Sequence, residues 1–271
     1  MKKTLLLKLL TCVIAAALLL PLAGCRGNDK TADDGSLKKV LDAGQLILGL
    51  DTEFPPMGFI DGNGEIVGFD IDVAEEVCKR LGVKLVKQPI VWENKENDLN
   101  NGVIDCIWNG MSVTEERSKN MNLSDPYMKN ELRFVVHGSS SVKRMRDLAG
   151  KTVGVQSGST ALDVLKKSDI YADITVKEYA DNNSILKCLQ EGEIDAAFVD
   201  SVIAYYFINS STDRFFTLPD ILSEEDYAVG FRKEDKTLRN KVQEILKAMK
   251  SDGTLGEISK KWFGSDITTV R

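Results

Sequence analysis

Three short stretches of this chain have the residue types and setting to hold a charged small molecule. Arg117 stands three residues after Thr114 and five after Ser112, as Ser112-x-Thr114-x-x-Arg117. An arginine stays protonated and offers a planar fork of donors that can grip both oxygens of a carboxylate. The spacing puts it just inside a helix opening at Thr114, with Glu115 and Glu116 in the first turn. On spacing alone, a solvated arginine paired with one of those glutamates is the simpler reading. Asp200 follows the apolar run 196–199. A carboxylate there either faces a cleft at the carboxyl end of a buried strand or caps the helix that follows from Ser201. Gly158-Ser159-Thr160 opens a further helix after a strand, where unpaired N–H groups favour an anion.

Other chemistries find no support. The single histidine, His137, sits beside Gly138 and reads as a surface or linker residue. Cys78, Cys106 and Cys188 are widely spaced, each within an apolar run, so they read as small hydrophobes and form at most one disulfide. No two cysteines have metal-ligand spacing, and no nucleophile stands with a base. No metal, cofactor or catalytic residue is expected.

The elements that must position these residues alternate. Helical spacing covers 71–81 and stops at Gly82, a strand covers 83–90, and a polar helix covers 93–101. Helices follow at 160–167, 181–190, 239–249 and 255–262. Strands alternating with helices imply mainly parallel sheets. The chain also matches itself. Asn101-Gly102-Val103-Ile104-Asp105 parallels Glu191-Gly192-Glu193-Ile194-Asp195, and each stands before a short apolar strand. Upstream, Gly44 leads into the strand 46–50 as Gly150 leads into 153–155. Two similar α/β lobes follow, with apolar segments 132–136 and 227–231 as the connecting strands. The expected division is 37–135 with 227–271 for the first lobe and 136–226 for the second. Ligands of such folds lie in the crevice outside the carboxyl ends of the strands.

The N-terminus carries a separate signal. Lys2, Lys3 and Lys8 precede an apolar run ending at Pro21, too short to span a bilayer comfortably. Leu22-Ala23-Gly24-Cys25 then resembles the bacterial lipobox, which implies a leader of residues 1–24 and lipidation of Cys25. Residues 25–36 hold no large apolar side chain before Leu37 and read as a flexible tether. The formal net charge of −6 becomes −9 for residues 25–271, because the leader holds three lysines and no acid. That balance argues against a nucleic-acid partner.

Taken in order, these pieces resemble the polar amino-acid-binding proteins of ABC importers, with the type II periplasmic-binding-protein fold. The resemblance rests on Asp51-Thr-Glu-Phe54-Pro55-Pro56, Gly68-Phe69-Asp70-Ile71-Asp72 and Trp108-Asn109-Gly110-Met111-Ser112-Val113-Thr114-Glu115-Glu116-Arg117. Ser124-Asp125-Pro126-Tyr127, residues 150–160, Asp195-Ala196-Ala197-Phe198-Val199-Asp200 and Lys261-Trp262-Phe263-Gly264 complete it. It covers residues 37–264.

The resemblance implies capture of a free amino acid by lobe closure and delivery to an ABC permease. The protein is then a monomer, lipid-anchored on the outer side of the cell membrane. An amino acid carries an α-carboxylate and an α-ammonium, and burying either unpaired is costly. Arg117 becomes the carboxylate partner, helped by backbone N–H groups near Ser112 and Thr160. Asp200 becomes the ammonium partner, with the Gly110 carbonyl and Ser112 hydroxyl. Phe54 and Trp92 match side-chain walls, while Asp51, Glu53 and Asn109 are candidate polar contacts at the far end. Met111 and Ser159 belong to the same ligand-binding set. Trp108 lines the cleft or fills the core beneath it. Asn109 departs from the serine or alanine common there, so the residues do not name the amino acid. A same-fold secreted enzyme, dehydratase-like, and an amino-acid sensor domain are the rival readings.

Overall fold

The computed structural model describes residues 33–271. The expected leader, Cys25 and the tether as far as residue 32 lie outside the described residues. The end of that expected tether is fixed in place. Asp34 accepts hydrogen bonds from the backbone N–H groups of Lys236 (2.7 Å) and Thr237 (2.9 Å) and from the Thr237 hydroxyl (2.6 Å). It thereby satisfies N–H groups that a helix start leaves unpaired. Residues 34–36 therefore belong to the folded body and not to the expected tether.

The first helix, α1 (Ser36–Ala43), turns at Gly44 into β1 (Gln45–Leu50). Strands β2 (Glu53–Phe54), β3 (Gly58–Ile60) and β4 (Ile66–Val67) form a small antiparallel sheet. Helix α2 (Phe69–Leu81) has the expected spacing, and its Ile71, Val73, Ala74, Val77 and Cys78 are buried. Next come β5 (Lys84–Pro89), a 3-10 turn at Trp92–Asn94 and α3 (Lys95–Asn100), then β6 (Cys106–Ile107), α4 (Glu115–Asn120) and β7 (Met121–Leu123). The long β8 (Met128–His137) carries the chain into the second lobe. There β9 (Thr152–Gln156), α5 (Thr160–Lys166), β10 (Thr175–Tyr179), α6 (Asn182–Gln190), β11 (Ala196–Asp200), α7 (Ser201–Ser210) and β12 (Phe215–Thr217) follow in turn. Strand β13 (Ser223–Tyr227) returns, and β14 (Gly230–Arg232), α8 (Lys236–Ser251) and α9 (Thr254–Phe263) finish the first lobe.

The first sheet has the order β5-β1-β6-β14-β7 and the second β10-β9-β11-β8-β12, with β13 also on β8. In each, three parallel strands are extended by antiparallel ones. Both faces of each sheet are covered, so the central strands are almost continuously apolar. Leu46, Leu48 and Leu50 pack with Val77 of α2 and Leu246 of α8, while Ile104, Ile107 and Met121 form a second cluster on which Ile47 packs.

The internal match has a common structural cause. Gly102 and Gly192 both take left-handed backbone, with φ of 75° and 76°. The aspartate three residues on then closes a reciprocal pair with the first strand of its lobe. Asp105 N–H donates to the Ile47 carbonyl (2.7 Å) while its carboxylate accepts from the Ile47 N–H (3.1 Å). Asp195 does the same with Thr152, at 2.9 Å both ways.

The connecting strands lie a few residues from their expected places. Residues Met128–Leu132 pair antiparallel with Ser223–Tyr227, in the register Leu132↔Ser223 to Met128↔Tyr227. Segment 132–136 belongs to the second sheet, where Leu132, Phe134 and Val136 enter the core. Its apolar character reflects that burial. The connecting residues Lys129, Asn130 and Glu131 are polar, as suits backbone crossing between two bodies.

Candidate functional site

The carboxyl ends of β1, β6, β9 and β11 converge from the two lobes, together with the N-terminal ends of α4 and α5. Phe54, Trp92, Gly110, Ser112, Arg117, Gln156, Ser159, Thr160 and Asp200 line one tight cavity of about 10 Å³. Eight residues expected in the site meet there, from segments up to 146 positions apart in sequence.

Arg117 is placed by its helix cap. The Thr114 side chain accepts the Arg117 backbone N–H at 3.0 Å, which starts α4 and turns the guanidinium inward. The side chain is only 7% exposed as a residue. Nη1 donates to the Ser112 carbonyl at 2.8 Å, the single side-chain hydrogen bond of Arg117 among the described residues. No carboxylate pairs with it there either, and Glu115 binds Lys119 instead. Burial pulls its pKa down, with the Glu225 charge opposing, yet a guanidinium remains charged at neutral pH.

Gly110 shapes the wall between Arg117 and Asp200. Its φ is +56°, and a Cβ there would stand 2.8 Å from the Phe54 ring and 3.1 Å from the Tyr227 ring. Its N–H donates to buried Asp70 at 2.7 Å, and Tyr127 donates its hydroxyl to the same oxygen at 2.9 Å. Burial pushes the Asp70 carboxyl up to about 7 against those two bonds.

Asp200 ends β11 immediately before α7, but its carboxylate makes no cap bond. Oδ1 accepts from the Tyr227 hydroxyl and from the Asn130 amide, both at 2.6 Å. Burial, with the Glu225 charge second, pushes the Asp200 carboxyl up. Ser112 donates its hydroxyl to Glu225 at 2.7 Å and accepts the Thr160 hydroxyl at 3.3 Å. Ser159 caps α5 through Leu162 N–H (3.2 Å), which holds Thr160 at the cavity wall.

The far end is a polar network joining the lobes. Gln156 Nε2 donates to Asp51 Oδ2 (2.7 Å) and to the Ala180 carbonyl (3.0 Å), and its oxygen accepts from Asn182 (3.0 Å). Asp51 thus reaches the cavity through Gln156 and does not line it. Glu53 accepts from Asn183 across the same gap. Buried Lys95 donates to the Gly158 carbonyl at 3.0 Å, a further bond between lobes.

Two expected contacts point elsewhere. Asn109 is wholly buried behind the cavity wall, and its oxygen holds the Asp51 N–H at 3.1 Å. Met111 is wholly buried with Trp92, Leu99 and Ile107. Both side chains point back into the lobe, on either side of the left-handed turn at Gly110. Trp108 resolves to the core and is wholly buried. Sequence reasoning missed Gln156, Asn130, Glu225 and Tyr227. Gln156 stands within a motif read for its glycine and serine. The other three come from the connecting strands, whose polar side chains carry no periodic signal.

Known proteins share this fold. Residues 46–265 match the family model for bacterial extracellular solute-binding proteins, family 3. The L-cystine-binding protein TcyJ of Escherichia coli (strain K12) is 31% identical, over 88% of this chain and 89% of that protein. The arginine-binding extracellular protein ArtP of Bacillus subtilis (strain 168) is 31% identical over 97% and 98%. Among solved structures, an ABC uptake transporter substrate binding protein from Streptococcus pneumoniae with bound histidine superposes with a TM-score of 0.82. It shares 37% identity, over 88% of this chain and all of that one.

Proposed function

We propose that this chain, which belongs to family 3 of the bacterial extracellular solute-binding proteins, captures a free polar or charged α-amino acid in its interlobe cleft and presents it to an ABC importer permease. The observation that carries this reading is Arg117. A buried guanidinium with one hydrogen bond and no carboxylate partner among the described residues is costly unless an anion joins it. Asp200 on the opposite lobe supplies the matching negative charge. The two poles suit a zwitterion, and a ligand held by both lobes favours closure by its differential affinity. Ser112 and the Gly110 carbonyl add acceptors for the ammonium, and Phe54 and Trp92 flank the side chain. Asp51, Glu53 and Gln156 give the far end polar character, which favours a polar or charged side chain. The relatives named for cystine, arginine and histidine fit that class.

The direct test is calorimetric titration of residues 33–271 with the twenty amino acids and cystine. Saturable binding of at least one is expected, and heat from none of them removes the reading. The outward, lipid-anchored location rests on residues 1–25. Cys25→Ala in the full chain is expected to move the protein from the membrane fraction to the soluble one in a bacterial host. Unchanged membrane retention argues against that anchor.

A further inference from the structure

Glu225 stands on β13 directly opposite Asn130 on β8, on the pair of strands that joins the lobes. Its Oε2 accepts the Ser112 hydroxyl at 2.7 Å and the Asn130 amide at 3.3 Å. The same amide donates to Asp200 at 2.6 Å, so one hinge asparagine holds both carboxylates. Asn130 is itself oriented, because its oxygen accepts from the backbone and hydroxyl of Ser201 (3.2 and 3.1 Å).

A serine hydroxyl has one proton and two lone pairs. The Ser112 proton is committed to Glu225, and Oγ already accepts from Thr160. What Ser112 can offer a ligand is therefore a lone pair. We propose that Glu225 is a positioning residue of the binding site: by holding the Ser112 proton it fixes that hydroxyl as an acceptor, and so selects a donor-bearing α-ammonium over an acceptor at the same position. This rests on the reading of the cleft as an α-amino-acid site. An α-keto acid is the discriminating probe, since it keeps the carboxylate and side chain but presents a carbonyl oxygen where the amino acid presents N–H donors. Facing a fixed acceptor, that oxygen is repelled. Glutamine at position 225 can donate to Ser112 Oγ, which frees the serine proton to turn toward the ligand.

The experiment measures, for wild type and Glu225→Gln, the affinity for the best-bound amino acid and, by competition, for the α-keto acid of the same side chain. The ratio of the two affinities is expected to fall tenfold or more in the variant, with the melting temperature of the free protein nearly unchanged. Glu225→Ala, which also releases the proton, should move the ratio the same way and serves if the glutamine variant does not fold. A ratio unchanged within twofold, whether both affinities fall together or neither moves, overturns the role of Glu225. Wild-type protein that binds no amino acid in the same titration refutes the underlying reading of the cleft instead.

Discussion

At the scale of single residues, the cleft is a problem in charge compensation. Arg117 is buried yet keeps four of its five N–H donors free of protein partners among the described residues. Removing one partner of a buried charge pair costs binding about 2–5 kcal/mol, roughly 30-fold or more in affinity. Arg117→Ala is expected to weaken amino-acid binding by at least that factor in calorimetry, while the free protein melts no lower, since an uncompensated buried charge has gone. Asp200→Asn should lose a comparable amount through the ammonium. Wild-type affinity in either variant contradicts its place in the site. Both residues were singled out before any fold was known, but through the family resemblance, since spacing alone favoured a solvated arginine and left Asp200 open as a helix cap. The places of Asn109 and Met111 were not legible, since only the direction of a side chain separates a cleft contact from a core one. That direction depends on how the segment after β6 enters the lobe.

At the scale of elements, loops between strands and helices aim the groups. The segment from Gly110 to Thr114 must turn back past Phe54 and Tyr227 before α4 begins, which requires left-handed backbone with no side chain at Gly110. Gly110→Ala adds about 1–2 kcal/mol of backbone strain and a clash with two rings. The expected result is a drop in melting temperature of at least about 2–4 °C per kcal/mol, together with weaker ligand binding. An unchanged melting temperature would show that the loop does not need the glycine. Periodicity located most helices well, and the Gly-x-Ile-Asp repeat marked equivalent strands because its aspartate performs the same backbone pairing twice. The connecting strands were misplaced because hydrophobic runs report burial, and the pairing that joins the lobes falls on polar residues.

At the scale of the whole molecule, closure buries groups that an opened cleft would return to water. Asp51 is the clearest case among the far-end groups. Burial, with the charges of Asp181 and Glu53, pushes its carboxyl up to about 6 despite hydrogen bonds from Glu53 N–H and Gln156. With the lobes in contact Asp51 therefore takes up a proton more readily than in an opened cleft, where its value would lie nearer the ordinary 3.8. Between those two values closing takes up a proton. Closure of the ligand-free protein should gain as pH falls from 7 through 6 and gain little more below about 4, and it should lose that gain on returning to neutral. Small-angle scattering of the ligand-free protein should show its radius of gyration shrinking over that range, with a shallower change in Asp51→Asn. Equal slopes for both proteins would remove Asp51 from the effect.

The sequence by itself determined the chemistry that is local. Its charge types, its glycine stops, its alternating strands and helices, and the leader-like N-terminus are all properties of short segments. They imply two α/β lobes and a pair of opposite charges before any contact is known. Only the tertiary structure decided which groups share the cleft. It placed Glu225 and Asn130 between Ser112 and Asp200, joined Gln156 to Asp51 across 105 positions of chain, and turned Asn109 and Met111 away. The physical reason is that charge and periodicity are written residue by residue. The partner of a buried polar group is set by how two lobes meet, and that depends on the packing of the entire chain.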